Sequence, residues 1–318
     1  MTAAVPVSTA TMPALGVPAS ARELDALALV IDHDAEAALN LLSSYLNGVQ
    51  AGMDYGGWRQ YCGGIFRRHR LFEKLQLSPF ASRGFKKPRG YDGDAVLLDM
   101  VFTPEVVIDK LEGLARWIFI WETGGAGARA LRSRRDLFTR ILDEATVGGA
   151  APRVAAVDAG HLREVQHTKR GSTGQFSKFV AYGSDPAALA AVTAQHPAAR
   201  TMAGSAALGA DGLLAFHGFD LIYAPTILDA MAKADAARLT RDLFAKLAPG
   251  GRLVLTSLTP QFPLRTYFEA ALDWWIHYRT NDEMRELMSL LNPSEVSHFN
   301  VFAAGGGALT CLNVRKAA

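Results

Sequence analysis

The stretch Lys246–Leu258, KLAPGGRLVLTSL, decides the reading of this chain. An amphipathic run, ILDAMAKADAARLTRDLFAKL from Ile227, places Leu228, Met231, Leu239, Leu243 and Leu247 on a helical stripe. The stripe stops at Leu247, and Pro249-Gly250-Gly251 supplies turn chemistry, with glycine free to take positive φ. Arg252–Leu258 is then short, apolar and β-prone, the mark of a buried strand. Working outward, similar apolar runs stand at Phe219 (FDLIYA), Lys178 (KFVAYG) and Arg153 (RVAAV), with helical stretches between them. Strands alternating with helices predict βαβ units and a parallel sheet. The end, EVSHFNVFAAGGGALTCLNVRK, predicts two antiparallel strands folded about Gly305–Gly307. The expected fold class is therefore α/β: a Rossmann-like doubly wound sheet, mostly parallel, closed by an antiparallel C-terminal hairpin.

Before Arg153 the pattern is helical. ARELDALALVIDHDAEAALNLLSSYLNGV, from Ala21, reads as one long helix or two joined near Asp32–Asp34, and helical patterns continue to Ala145. TVGGAAP, with Gly148, Gly149 and Pro152, predicts a boundary. The division expected is a flexible tail at 1–20, a helical cap or substrate domain at 21–150 and the α/β domain at 151–318. Residues 1–20 are small and Pro-rich without a basic leader, which argues against a signal peptide.

Composition excludes several classes. With 318 residues, a net charge of +2 and charged residues spread along the chain, neither a nucleic-acid nor a membrane partner is implied. No apolar run reaches the ~18 residues of a membrane span. Cys62 and Cys311 are isolated and the histidines lack ligand spacing, so no metal is expected and the setting reads as cytoplasmic. The basic runs FRRHR (Phe66–Arg70) and RALRSRRDLFTR (Arg129–Arg140) are read as solvated helix faces rather than RNA contacts.

The order FDLIYA, LxPGG, strand and terminal hairpin resembles the class I S-adenosyl-L-methionine-dependent methyltransferases over residues ~150–316. KPRGYDGD (Lys87–Asp94), LIYAPTILD (Leu221–Asp229) and WWIHYRTNDEM (Trp274–Met284) together resemble a bacterial subfamily of these enzymes, extending the match to about residues 55–316. That subfamily has a helical N-terminal region and includes methyl ester synthases of fatty or hydroxy acids. The resemblance implies S-adenosylmethionine as cofactor and a small-molecule acceptor, a small or lipid-like acid or amine. It equally admits a same-fold enzyme that uses the cofactor for cyclisation or aminoalkyl transfer, or a homologue that has lost cofactor binding.

In the family, a loop like GCGPGRE follows the first strand. VDAGHLRE sets Asp158 at the first glycine, Gly160 at the second, Leu162 at the third and Glu164 on the acidic position. A second register makes Asp158 the acid before the first glycine, Gly160. Expected cofactor-binding residues are Asp158, Ala159 and Gly160, with Asp185 and Pro186 after the second strand, and Tyr91 and Asp94 from the loop. Asp158 is assigned to the ligand's ammonium. An acid about 20 residues beyond the loop ordinarily accepts from the ribose hydroxyls. Gly183 stands there instead, with Asp185, Tyr182 and Ser184 as substitutes.

Expected to carry the chemistry are Tyr91, Tyr223, Tyr278 and Arg279. Tyr223 ends the fourth strand, and Tyr278 and Arg279 follow the fifth, where α/β folds bind ligands. Arg89 is a candidate fork for a substrate carboxylate, and His277 a candidate base. The structural alternatives are a core aromatic at Tyr223, packed aromatics at Trp274, Trp275 and Tyr278, a solvated Arg279, and Asp94 capping the helix AVLLDMV. Methyl transfer needs an aligned nucleophile with water excluded; no acid–base dyad is legible, which favours an acid or another good nucleophile as acceptor.

Overall fold

A computed structural model describes residues 21–146, 149–204 and 216–318. The tail at 1–20 and Gly148 of the expected boundary lie outside the described residues. Seven strands form one sheet: β1 (Arg153–Val157), β2 (Lys178–Gly183), β3 (Arg200–Ala203), β4 (Phe219–Ala224), β5 (Leu247–Leu258), β6 (Val296–Ala304) and β7 (Leu309–Lys316). Their order is β3-β2-β1-β4-β5-β7-β6. The first five run parallel, and β7 pairs antiparallel with both β5 and β6. This is the Rossmann-like sheet, mostly parallel with an antiparallel C-terminal hairpin, expected from the strand–helix alternation. Val154, Ala155, Ala156 and Val157 of β1 are all buried, as a central strand covered on both faces requires.

The opening stretch folds with one change. The helix Lys233–Ala245 ends two residues early, and Pro249–Gly251 lies inside the span of β5 rather than before it. The turn has become an irregularity: the register with β4 shifts between Phe219 and Leu221, and Gly250 takes φ +72°. A Cβ on Gly251 would sit 2.7 Å from the Phe219 carbonyl oxygen, so only glycine allows the two backbones this close.

The N-terminal run divides at the four residues Ile31–Asp34, into helices Ala21–Val30 and Ala35–Ala51, the second capped by Asp34. The helical region does not stand apart from the α/β half. Its apolar core, with Leu39, Leu42, Trp58, Phe66, Phe80 and Phe119, continues into Leu258, Phe262, Tyr267, Phe268, Leu272 and Leu309. Gly84 and Gly127 press against Leu272 and Leu264 so closely that a Cβ would meet them at 2.6 and 2.5 Å. A cap that closes as a body would have to break this packing. Among the described residues, the Lys87–Asp94 loop lies over the strand ends, tied to Asp185 after β2. No described helix is long and apolar enough to cross a membrane.

Candidate active site

Strand order reverses between β1 and β4, and the crevice at such a point is where open α/β sheets bind ligands. A cavity of about 420 Å³ lies there. Asp158–Gly160 after β1, Gly183–Asp185 after β2, and Pro225 and Thr226 after β4 form one wall. Tyr91, Asp92 and Gly93 of the Lys87–Asp94 loop form another. Leu98, Phe102, Leu131, Phe138, Trp274 and Trp275 supply an apolar lining.

The loop after β1 keeps a glycine-rich backbone with few glycines. Asp158, Gly160 and Leu162 all take positive φ, at 46°, 59° and 54°. These are the three glycine positions of the first register, and the alternation favours that register over the second. Asp accepts the left-handed region at small cost. Leu162 is held in it by complete burial among apolar neighbours. At Gly160 a Cβ would come within 3.2 Å of Ala95 Cβ, where the helix Ala95–Phe102 crosses the loop.

Asp158 and Gly183 are complementary. A Cβ at 183 would lie 3.0 Å from Asp158 Oδ1. The Asp158 carboxylate therefore occupies the space beside the end of β2, where the family's acid would project. It accepts from the Ser184 N–H at 3.2 Å. Burial pushes its pKa up to about 6, offset only in part by that one hydrogen bond. An acid so placed is short of donors, and vicinal hydroxyls are donors of the right kind. A carboxylate short of donors beside a glycine-type backbone fits the ribose hydroxyls of S-adenosylmethionine.

Asp185 is engaged elsewhere. Its Oδ1 caps the helix Pro186–Gln195 through the N–H groups of Ala187 and Ala188, at 2.9 and 3.2 Å, and Pro186 stands in the first turn where its missing N–H costs nothing. Its Oδ2 accepts from Arg89 at 2.6 Å and Tyr91 at 2.7 Å. Burial raises its pKa, but these donors outweigh burial and hold it below the ordinary value. Arg89, expected to grip a substrate, is thus spent on a latch between loop and sheet. Tyr91 lines the cavity with its hydroxyl turned to the same latch.

The remaining predicted residues are not brought to the cavity wall. Asp94 caps the helix Ala95–Phe102 through Val96 and Leu97, and Arg83 grips its carboxylate at 2.8–2.9 Å; the capping alternative holds. Tyr223 is fully buried, its ring tilted against Phe138, with its hydroxyl donating to Glu164 at 2.5 Å. Its strand end faces the core because β4 carries alternate residues to opposite faces. Tyr278 is packed under the Arg265 guanidinium, and its buried hydroxyl has no partner among the described residues. Arg279 is neither solvated nor at the mouth: it is 4% exposed and donates to the carbonyls of Leu228, Met231 and His277. His277 is exposed and away from the cavity.

The sequence alone gives two lining groups no role in the site, although it sets Glu164 on the loop's acidic position. Glu164, at the floor, is buried, and burial pushes its pKa up to about 7 despite the Tyr223 hydroxyl. Arg134 belongs to a helix, Ala126–Glu144, whose basic run looked like a solvated face; it is buried instead. The signal was its spacing: Leu131, Arg134 and Phe138 share one helix face, so this arginine is set among the apolar residues.

No protein-family model matches the chain, and no curated protein matches it. Solved structures do. A "possible exported protein" from Bordetella parapertussis aligns with TM-score 0.62 at 19% identity, over 82% of this chain and 93% of that one. The CurJ carbon methyltransferase aligns with TM-score 0.48 at 13% identity, over 93% of this chain and 84% of that one. The S-adenosylmethionine-dependent methyltransferase SibL aligns with TM-score 0.48 at 15% identity, over 80% and 77%. The first of these establishes a shared fold over most of both chains. At such identities the likeness extends to the fold alone.

Proposed function

We propose that this chain is an S-adenosylmethionine-dependent methyltransferase acting on a small or lipid-like acid or amine. One observation carries the reading: the Asp158 carboxylate fills the place beside Gly183 that the family gives to a ribose-binding acid. Asp158 is therefore assigned to the ribose hydroxyls rather than to the ligand's ammonium, and Gly160 lets the backbone approach the ligand. Bound there, S-adenosylmethionine would supply an electrophilic methyl group on a sulfonium, with the neutral thioether as leaving group. The chain's own task is to align that nucleophile and exclude water. Trp274, Trp275, Phe102 and Phe138 provide the dry lining, and the Lys87–Asp94 loop, latched through Arg89 and Tyr91 to Asp185, covers the opening. An acid acceptor attacks as its carboxylate and needs no base. An amine must lose a proton, and Glu164 is the lining carboxylate with a pKa suited to take it. A cytoplasmic setting belongs to the same reading.

Calorimetry with S-adenosylmethionine and S-adenosylhomocysteine tests it. Both are expected to bind. No heat and no thermal shift at millimolar ligand would leave the fold without this cofactor. Mass spectrometry of turnover mixtures then separates methyl transfer, which leaves S-adenosylhomocysteine, from aminoalkyl transfer, which leaves methylthioadenosine.

A further inference from the structure

Arg134 lines the cavity, and half of its guanidinium is unused. Its side chain is 5% exposed, and Nη1 donates to Asp229 Oδ2 at 2.8 Å. Asp229 is itself fixed, with Oδ1 accepting from Ser257 Oγ at 3.1 Å and from the Leu258 N–H at 3.0 Å. Arg134 is thus held rigidly from one side. Its other two nitrogens, Nε and Nη2, are buried and have no hydrogen-bond partner among the described residues. Buried donors of a cation are costly to leave unmade, so such a group calls for an acceptor.

The free atoms are not an arbitrary pair. Nε and Nη2 form the side of the guanidinium whose two N–H groups run parallel and match the two oxygens of a carboxylate. The same edge grips both oxygens of a carboxylate three times elsewhere among the described residues, once in the Arg83–Asp94 pair. Arg163 Nε and Nη2 hold the two oxygens of Asp99, both at 2.7 Å. Arg153 Nε and Nη2 hold those of Asp220, at 3.0 and 2.8 Å. Arg134 has the edge, the burial and the anchoring without the acid. Arg135 beside it is already paired with Asp136 and lies over the Phe102 ring.

We propose that Arg134 is the carboxylate receptor of the cavity, closing its Nε–Nη2 edge on a ligand carboxylate. Two ligands can bring one: an acceptor acid with an apolar body, or the amino-acid end of the bound nucleoside. The second source rests on the cofactor reading above; the first does not.

Calorimetry on the full chain distinguishes them, using wild type, Arg134→Gln and Arg134→Lys. The probes are S-adenosylhomocysteine, methylthioadenosine (the same nucleoside without the carboxylate), octanoate and octylamine. If the nucleoside's carboxylate sits on Arg134, Arg134→Gln weakens S-adenosylhomocysteine roughly 10- to 100-fold and leaves methylthioadenosine within about threefold. If an acceptor acid sits there, octanoate weakens by a like factor while S-adenosylhomocysteine does not, and octylamine binds poorly throughout. Arg134→Lys keeps the charge and the Asp229 pair but lacks the fork, so it restores only part of either loss. Unchanged methylthioadenosine binding certifies that the variants fold. Wild-type affinities for S-adenosylhomocysteine and octanoate in both variants would overturn the inference, as would a wild-type chain that takes up neither. Octanoate binding that depends on Arg134, in a chain that binds neither nucleoside, would sink the cofactor reading and leave this one standing.

Discussion

Asp158 and Asp185 face the same cavity from the ends of neighbouring strands, yet their environments are opposite. Asp158 is half-buried with a single backbone donor, and desolvation pushes its pKa up to about 6. Asp185 is met by an arginine, a tyrosine and two helix N–H groups, and its pKa is held below the ordinary value. The difference separates two kinds of acid that sequence alone makes equivalent. A carboxylate whose lone pairs are all claimed holds the structure together. One left short of donors is available to a ligand, and the protein pays for that availability in stability.

The largest effect expected from this contrast is in Asp158→Ala. Losing two hydrogen bonds to a charged acceptor should weaken S-adenosylhomocysteine about a hundredfold or more by calorimetry, with little change in melting temperature. A loss under threefold would remove Asp158 from the site. Next comes pH. Asp158 accepts from ligand hydroxyls as the carboxylate, and protonation in the free protein competes with that. Affinity should be flat above about 6 and fall about tenfold per pH unit below it, while Asp158→Asn flattens the profile. A profile in the parent chain that is level down to pH 5 would assign the ribose contact elsewhere.

Asp185→Ala should behave in the reverse sense. It removes a helix cap and the anchor of the loop, costing about 1–2 kcal/mol in denaturant unfolding, with nucleoside affinity altered only a few-fold. An affinity loss as large as that of Asp158→Ala would abolish the distinction between the two acids. The smallest effect belongs to Tyr223→Phe, which deletes one buried hydrogen bond to Glu164 and should cost about 1 kcal/mol without changing ligand affinity.

Stability should also carry the mark of buried acids. Glu122, wholly buried with Ser78 and Tyr267 as donors, has its pKa pushed up to about 8 by burial. Its folded pKa exceeds the unfolded one, so its contribution is complete below about 4.5 and lost as pH rises through about 8. The melting temperature of Glu122→Gln should therefore fall less than wild type's between pH 5 and 9.

Much of the fold was legible because periodicity and turn chemistry are local. RVAAV, KFVAYG, FDLIYA and RLVLTSL are strands, and Gly305–Gly307 turns the terminal hairpin. The chain breaks near Asp32–Asp34, as one of the two readings has it, and Asp94 caps its helix, as the alternative reading has it. The site was legible only in outline. Asp158, Gly160, Asp185 and Tyr91 do meet at one cavity, since strand ends and the loop after β1 gather there in any sheet of this order. Tyr223 and Arg279 show where local reading stops. Both sit at strand ends or just beyond, but the direction and partners of a side chain depend on what packs against it.

The sequence by itself determined the succession of elements, the turns and the family-like order of motifs, because these follow from spacing and backbone preference within a few residues. Only the tertiary structure decided that Asp158 fills the room left by Gly183, that Asp185 is consumed by the loop, and that Arg134 is buried with an open edge. Those facts turn on distances between atoms far apart in the chain, and such distances are fixed by packing in three dimensions rather than by any local pattern.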